Sequence, residues 1–171
     1  IGLSNSTAGG SWSSNNTGVA SIDASGTVTG ISAGTAVITY SYTNGNGCSS
    51  FVSTTITVYA LPSLSAISGA TGVCVNSAIG LSNSTSGGSW SSNNTGVATV
   101  NGSGTVTGIS AGTAVITYSY TNGNGCSSSV STTITVYALP SLAAISGATG
   151  VCVNSTIGLS NSTAGGSWSS N

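Results

Sequence analysis

The sequence predicts an all-β chain of tandem immunoglobulin-like β-sandwiches with almost no helix, and three observations favour this class. The segment Ile-Gly-Leu-Ser-Asn-Ser-Thr starts at Ile1, Ile79 and Ile157, so the chain repeats every 78 residues. Apolar residues alternate with Ser and Thr in short runs, with turn residues about every 8–12 positions, which is typical of sandwich strands. β-Branched residues are abundant and strong helix formers are scarce, which also favours strands.

The repeat is long enough for a small domain with its own core, and its copies are nearly identical. Residues 1–78 and 79–156 differ at only eight positions. These are Ala8/Ser86, Ser21/Thr99, Ile22/Val100, Asp23/Asn101, Ala24/Gly102, Phe51/Ser129, Ser65/Ala143 and Ala78/Thr156. Because two of the pairs lie in a predicted turn and Phe51/Ser129 follows a Gly-rich loop, we expect much of this variation to be exposed.

The chain divides into three units at two copies of the segment Tyr-Ala-Leu-Pro. These copies lie at 59–62 and 137–140, each just after a strong strand, and read as linkers because proline cannot donate to a strand ladder. We expect 61–138 to be a complete domain, 1–60 a partial one that lacks its first strands, and 139–171 the first strands of another. Since the sequence starts and stops within a repeat, we expect it to be a window from a longer tandem array.

Period and turn residues predict seven or eight strands in the complete unit. Val106 stands between two threonines, and the turn 101–104 precedes it. Along the longest strand the inward face is Ala114, Ile116, Tyr118 and Tyr120. The predicted strands are a weak first strand at 63–68, a short piece at 73–75, one headed by Ile79 and Leu81, one from Trp90, a hairpin of 97–100 and 105–109, a strand at 113–120, and a last strand with Val130, Thr132, Ile134 and Val136 inward.

The near absence of charged side chains excludes most kinds of catalytic, metal-binding and nucleic-acid-binding site. Lys, Arg and His are absent, and Asp23 is the only acidic residue. Nucleic-acid binding needs cations, calcium sites need several carboxylates, and general acid–base catalysis or serine activation needs a base. The four cysteines lack C-x-x-C spacing for zinc. We therefore predict no enzyme activity, no metal or cofactor, no nucleic-acid partner and, with no apolar run of ~18 residues, no membrane insertion.

The chain resembles the bacterial Ig-like domain family, group 2, over the whole repeat. The resemblance rests on Trp90-Ser-Ser-Asn, Val97-Ala-Thr-Val100, the segment 104–113 and the final Thr-Ile-Thr-Val136. The variant with Gly72-Val-Cys-Val75 and Asn124-Gly-Cys126 looks like tandem arrays in giant surface proteins of Gram-negative bacteria. The resemblance implies an extracellular adhesin or surface filament without catalytic residues. The low charge departs from many relatives and puts calcium between domains in doubt.

Cys48, Cys74, Cys126 and Cys152 allow three full pairings. In a sandwich the short piece before the second strand runs parallel to the last strand, so we expect Cys74 and Cys126 to meet at the starts of these strands. A bond there would close a loop of about 50 residues and contribute roughly 4 kcal/mol. Cys48 and Cys152 would then pair with copies outside the sequence. Buried free thiols are the alternative, and disulfides would indicate an oxidising compartment.

Two functional classes fit these observations. The first is a structural module of an extracellular filament or stalk, whose partners are neighbouring copies of the repeat and other filament chains. The alternative is an adhesin repeat that binds surface glycans through Tyr42, Tyr120, Trp90 and the Asn-rich loops. Trp12 and Trp90 are predicted core anchors, with a sugar-stacking platform as the alternative at Trp90. Ice binding by the Thr-x-Thr rows at 105–107 and 133–135 is disfavoured, because the rows are short and sandwiches are twisted.

Overall fold

The computed structural model describes residues 1–170, and every regular element in this range is a β-strand. The prediction of an all-β, sandwich-type fold is confirmed. We refer to residues 1–60, 61–138 and 139–171 as the first, second and third modules; Asn171 lies outside the described residues. The strands are β1 (Ser11–Ser14), β2 (Ala20–Ile22), β3 (Val28–Gly30), β4 (Gly34–Thr43), β5 (Ser49–Val58), β6 (Ser68–Gly69), β7 (Gly72–Cys74), β8 (Ala78–Ser82), β9 (Ser89–Ser92), β10 (Ala98–Val100), β11 (Thr105–Gly108), β12 (Gly112–Thr121), β13 (Ser127–Tyr137), β14 (Ser146–Gly147) and β15 (Leu159–Ser160).

The second module is a two-sheet sandwich. One sheet has the order β7-β13-β12-β9 and the other the order β10-β11-β8-β6. Only β7 runs parallel to its neighbour, and all other pairs are antiparallel. Inward side chains of both sheets form one core, as alternation along each strand requires. Its buried members are Val73, Leu81, Ala98, Val106, Ala114, Ile116, Ile134 and Val136.

The long hairpin of β12 and β13 supplies the centre of this core. Ala114, Ile116 and Tyr118 are buried on the predicted inward face of β12, and Ile134 and Val136 are buried on β13. The hairpin turns at residues 122–126, where the side-chain oxygen of Asn122 accepts bonds from two backbone amides of the turn. The predicted faces of both strands are therefore confirmed.

The turn between β10 and β11 is bonded to the neighbouring strand β8. Gly104 is buried with φ of 83°, and its carbonyl accepts a 2.8 Å hydrogen bond from the Leu81 amide of β8. A β-carbon at Gly104 would collide with the Leu81 carbonyl and lie 3.2 Å from Cε2 of Trp90. Only glycine adopts this left-handed backbone at no cost, so it is required at this crossing.

The first module has the same strands as the later part of the second, since it begins at Ile1, the counterpart of Ile79. Its sheets are β1-β4-β5 and β2-β3, with the bridge Gly2–Thr27 in place of a full strand. Val58 is half-buried whereas its counterpart Val136 is 2% exposed, and Val52 is 58% exposed. β5 is therefore an open edge where β13 is covered by β7.

The predicted first strand at 63–68 is wrong in detail. Only Ser68–Gly69 pairs, with Leu81 and Ser82 of β8, and the preceding residues are irregular. Leu64 and Ile67 are nevertheless half-buried, and Ile67 packs on the core. The segment thus covers the sandwich with side chains rather than with a ladder. Within residues 1–170 no helix is long and apolar enough to cross a membrane.

Candidate functional site

The only carboxylate side chain is used to close a turn. Oδ1 of Asp23 accepts hydrogen bonds from the Ser25 hydroxyl at 2.6 Å and from the amides of Ser25 and Thr27 at 2.9 Å each. These bonds, led by the Ser25 hydroxyl, hold the pKa of Asp23 below its ordinary value. Within residues 1–170, no three His, Cys, Asp or Glu residues form a group suited to a metal ion.

The second module makes the same turn without a charge. Oδ1 of Asn101 accepts bonds from the Ser103 hydroxyl and amide and from the Thr105 amide, at 2.7–3.1 Å. An amide oxygen therefore replaces the carboxylate oxygen at equal geometry. Either a carboxylate or an amide oxygen can therefore accept the hydrogen bonds of this turn.

Acid should weaken the first module slightly, and Asp23→Asn should remove that effect. A carboxyl whose folded pKa is depressed contributes stability above its unfolded pKa of about 3.8, and this contribution is lost as the pH falls through the lower folded value. We expect a small drop in the melting temperature of the wild-type chain below pH 4, measured by circular dichroism. The second module, which carries Asn101, is the internal control. An equal drop in Asp23→Asn would contradict this origin.

Trp90 and Tyr118 form an aromatic pair on the neighbouring strands β9 and β12. Trp90 is half-buried against the core, and its ring centroid lies 4.7 Å from that of Tyr118. The Tyr118 hydroxyl donates to the Thr85 carbonyl at 2.5 Å and accepts from the Gly88 amide at 2.8 Å. Trp12 repeats this arrangement with Tyr40 in the first module. Both tryptophans therefore contact core residues through part of their surface.

The predicted glycan contacts Tyr42 and Tyr120 are in equivalent positions at the end of the long hairpin. Tyr42 is 37% exposed and lines a cavity of about 130 Å³ together with Phe51. In the second module, the Asn83 amide donates to the Ser65 carbonyl of the covering first segment. The described first module begins at Ile1, so this contact has no counterpart beside its cavity. Glycan binding at Tyr42 and Tyr120 stays a prediction.

The predicted Cys74–Cys126 bond is wrong. All four cysteines are free, with Cys48, Cys74 and Cys152 exposed and Cys126 half-buried. β7 does run parallel to β13, as predicted, but Cys74 is opposite Tyr137 at the end of β13, whereas Cys126 precedes its start. Eleven residues at ~3.3 Å each separate the two positions by roughly 35 Å. The error is one of register along the last strand.

The junction between the first and second modules brings together residues that the sequence did not pair. The Asn122 side chain donates to the Ala60 carbonyl at 3.3 Å, and the Cys126 sulfur lies 3.9 Å from the Tyr59 carbonyl oxygen. The hairpin turn 122–126 thus contacts the linker that enters its own module. The sequence of the turn 122–126 does not predict this contact. Only its position at one end of the long hairpin could have indicated it.

The fold and this junction define a chain of tandem immunoglobulin-like sandwich modules. No family model and no curated protein matches the sequence. Among solved structures, the chain is similar to domains 1–6 of surface layer protein SbsC at 24% identity and a TM-score of 0.31, covering 86% of this chain and 24% of that one. It is similar to SbsC domains 4 and 5 at 26% identity and a TM-score of 0.29, covering 74% of this chain and 70% of that one. A C-terminal intimin fragment solved with the intimin-binding domain of its translocated receptor matches at 13% identity and a TM-score of 0.34, covering 74% and 51%.

Proposed function

We propose that this chain is a structural segment of an extracellular bacterial surface filament or stalk built from group 2 Ig-like modules, without catalytic activity. The observation that carries the proposal is the junction contact of Asn122 and Cys126 with the linker. Because the repeats are nearly identical, each junction in a series has the same linker and the same contacting turn. Serial modules then take one fixed orientation.

The linker between modules and the uncharged surface of the modules both favour a stiff array. Pro62 restricts the backbone of the segment that joins the modules, and Asn122 fixes the carbonyl two residues before it. The chain has one acidic and no basic side chains, so neighbouring modules approach without repulsion, and their contacts depend little on salt. The groups in contact at the junction are the Asn122 side-chain amide, the Cys126 thiol and two backbone carbonyls of the linker.

Small-angle scattering and electron microscopy of arrays with increasing numbers of repeats test this function. We expect rods whose length increases by a constant ~35–45 Å per module, from strands of about 7–11 residues and their loops. The matched control replaces Asn122 by alanine and Pro62 by glycine at every junction, which should leave each module folded but make the rods bend. Freely variable angles between modules in the unaltered array would contradict the stiff filament and favour a flexible adhesive stalk.

A further inference from the structure

Each module carries its two cysteines at opposite ends. In the second module Cys126 lies at the end that contacts the preceding linker, and Cys74 lies beside Tyr137 at the end that leads into the next linker. A disulfide requires Cα atoms about 4.4–6.8 Å apart, so the two thiols of one module cannot bond to each other. Each thiol is instead placed at a junction.

The repeat shows what faces Cys126 when a full module precedes it. Tyr59 is the counterpart of Tyr137, one repeat earlier. In the second module Cys74 is the strand partner of Tyr137, and the Tyr137 carbonyl accepts a 3.0 Å hydrogen bond from the Val75 amide. The same carbonyl on Tyr59 lies 3.9 Å from the Cys126 sulfur. The carbonyl of this tyrosine therefore lies between two cysteines. One is the β7 cysteine of its own module (the Cys74 position, called the first-strand cysteine below), and the other is the turn cysteine of the next module (the Cys126 position).

We propose that successive modules are joined by a disulfide between the cysteine equivalent to Cys74 in one module and the cysteine equivalent to Cys126 in the next. This inference rests on the proposed serial arrangement of modules. In this pairing, the partners of Cys48 and Cys126 would lie in copies of residues 61–78 ahead of Ile1, and those of Cys74 and Cys152 in hairpin turns after Asn171. Of the four free thiols, Cys126 contacts the preceding linker and Cys74 lies beside the tyrosine that leads into the next one.

The bond forms by thiol–disulfide exchange with a disulfide-bearing oxidant. The thiolate of the exposed first-strand cysteine attacks the oxidant, whose sulfur–sulfur bond breaks and whose leaving sulfur takes up a proton. The turn cysteine then loses its proton and displaces the second oxidant sulfur, which leaves as a thiol. Two protein thiols thus lose two electrons and two protons to one oxidant disulfide. The result is a covalent link beside the peptide linker at each junction.

Adding a copy of residues 61–78 directly ahead of Ile1 tests this inference, because it places a first-strand cysteine beside Tyr59. After oxidation with glutathione disulfide, peptide mapping of the monomer by mass spectrometry should show one link, between the added cysteine and Cys126. Cys48, Cys74 and Cys152 should remain open to alkylation. Cys126→Ser should abolish the link, and the matched variant Cys48→Ser should leave it unchanged.

Two results would overturn the disulfide. One is a link between the added cysteine and Cys48, which would mean pairing within a module. The other is a Cys126 that still reacts with an alkylating reagent in the extended chain, provided that tryptophan fluorescence shows this chain to be folded. The rod length of Cys126→Ser arrays distinguishes a failure of the disulfide proposal from a failure of the filament proposal. Stiff rods that form without a cross-link would leave the proposed function unaffected. Bending rods that are fully cross-linked would instead contradict the filament alone.

Discussion

Replacing Gly104 by alanine should destabilise the second module by about 3 kcal/mol or more. An alanine at φ of 83° costs roughly 1–2 kcal/mol, and its β-carbon would collide with the Leu81 carbonyl. The amide of Leu81 also donates to Gly104, so relief of the collision would lengthen a buried hydrogen bond. Urea unfolding followed by tryptophan fluorescence measures the loss, in a background with Trp12 and Trp168 replaced by phenylalanine so that Trp90 alone reports.

The same turn provides the matched control. Gly102 is exposed, has no positive φ, and a β-carbon there would meet nothing within 4 Å. The first module already carries Ala24 at this position, while Gly26, the counterpart of Gly104, is kept with φ of 86°. We therefore expect Gly102→Ala to change stability by less than about 0.5 kcal/mol. Equal losses in the two variants would show that the turn responds to any added side chain.

The sequence predicted the antiparallel part of the fold well because its signals are local. Along β12, alternation with hydroxyl residues identified the buried face that Ile116 and Tyr118 occupy. A one-residue slip would expose this whole face, so the pattern defines the register. The turn residues 101–104 likewise identified the hairpin of β10 and β11, whose strands are adjacent in the chain.

The position of β7 could not be predicted because its three residues carry almost no register information. A short parallel piece fits anywhere along the eleven residues of β13 with Val73 inward. Contacts between distant residues decide its place. The Tyr137 ring lies over Gly72, where a β-carbon would be 2.8 Å from Cε2, and the Asn76 amide donates to the Gly108 carbonyl at 2.8 Å. The cysteine pairing failed for this reason, and the junction contact was missed with it.

Completing the first module should be the largest stabilising change available to this chain. In the second module, the segment 61–78 places Val73 opposite Val136 and covers the core with Ile67. The first module instead has a cavity of about 160 Å³ lined by residues that include Trp12, Ile38 and Val52. Each valine or isoleucine side chain that becomes buried contributes about 1.5–3 kcal/mol, against which the ordering of the added backbone must be set.

We expect a copy of residues 61–78 ahead of Ile1 to raise the free energy of unfolding of the first module by about 3 kcal/mol under reducing conditions, where no disulfide contributes. Hydrogen exchange in the peptide 49–58 should slow by tenfold or more, because the Thr57 amide gains the partner that its counterpart Thr135 has in the Thr71 carbonyl at 2.9 Å. The matched control is the same extension with aspartate at the counterpart of Val73, which keeps the length but places an unpaired charge in the core. If the unaltered extension left exchange in 49–58 unchanged, residues 61–78 would not belong to the module that follows them. The module boundary at Leu61 would then be wrong.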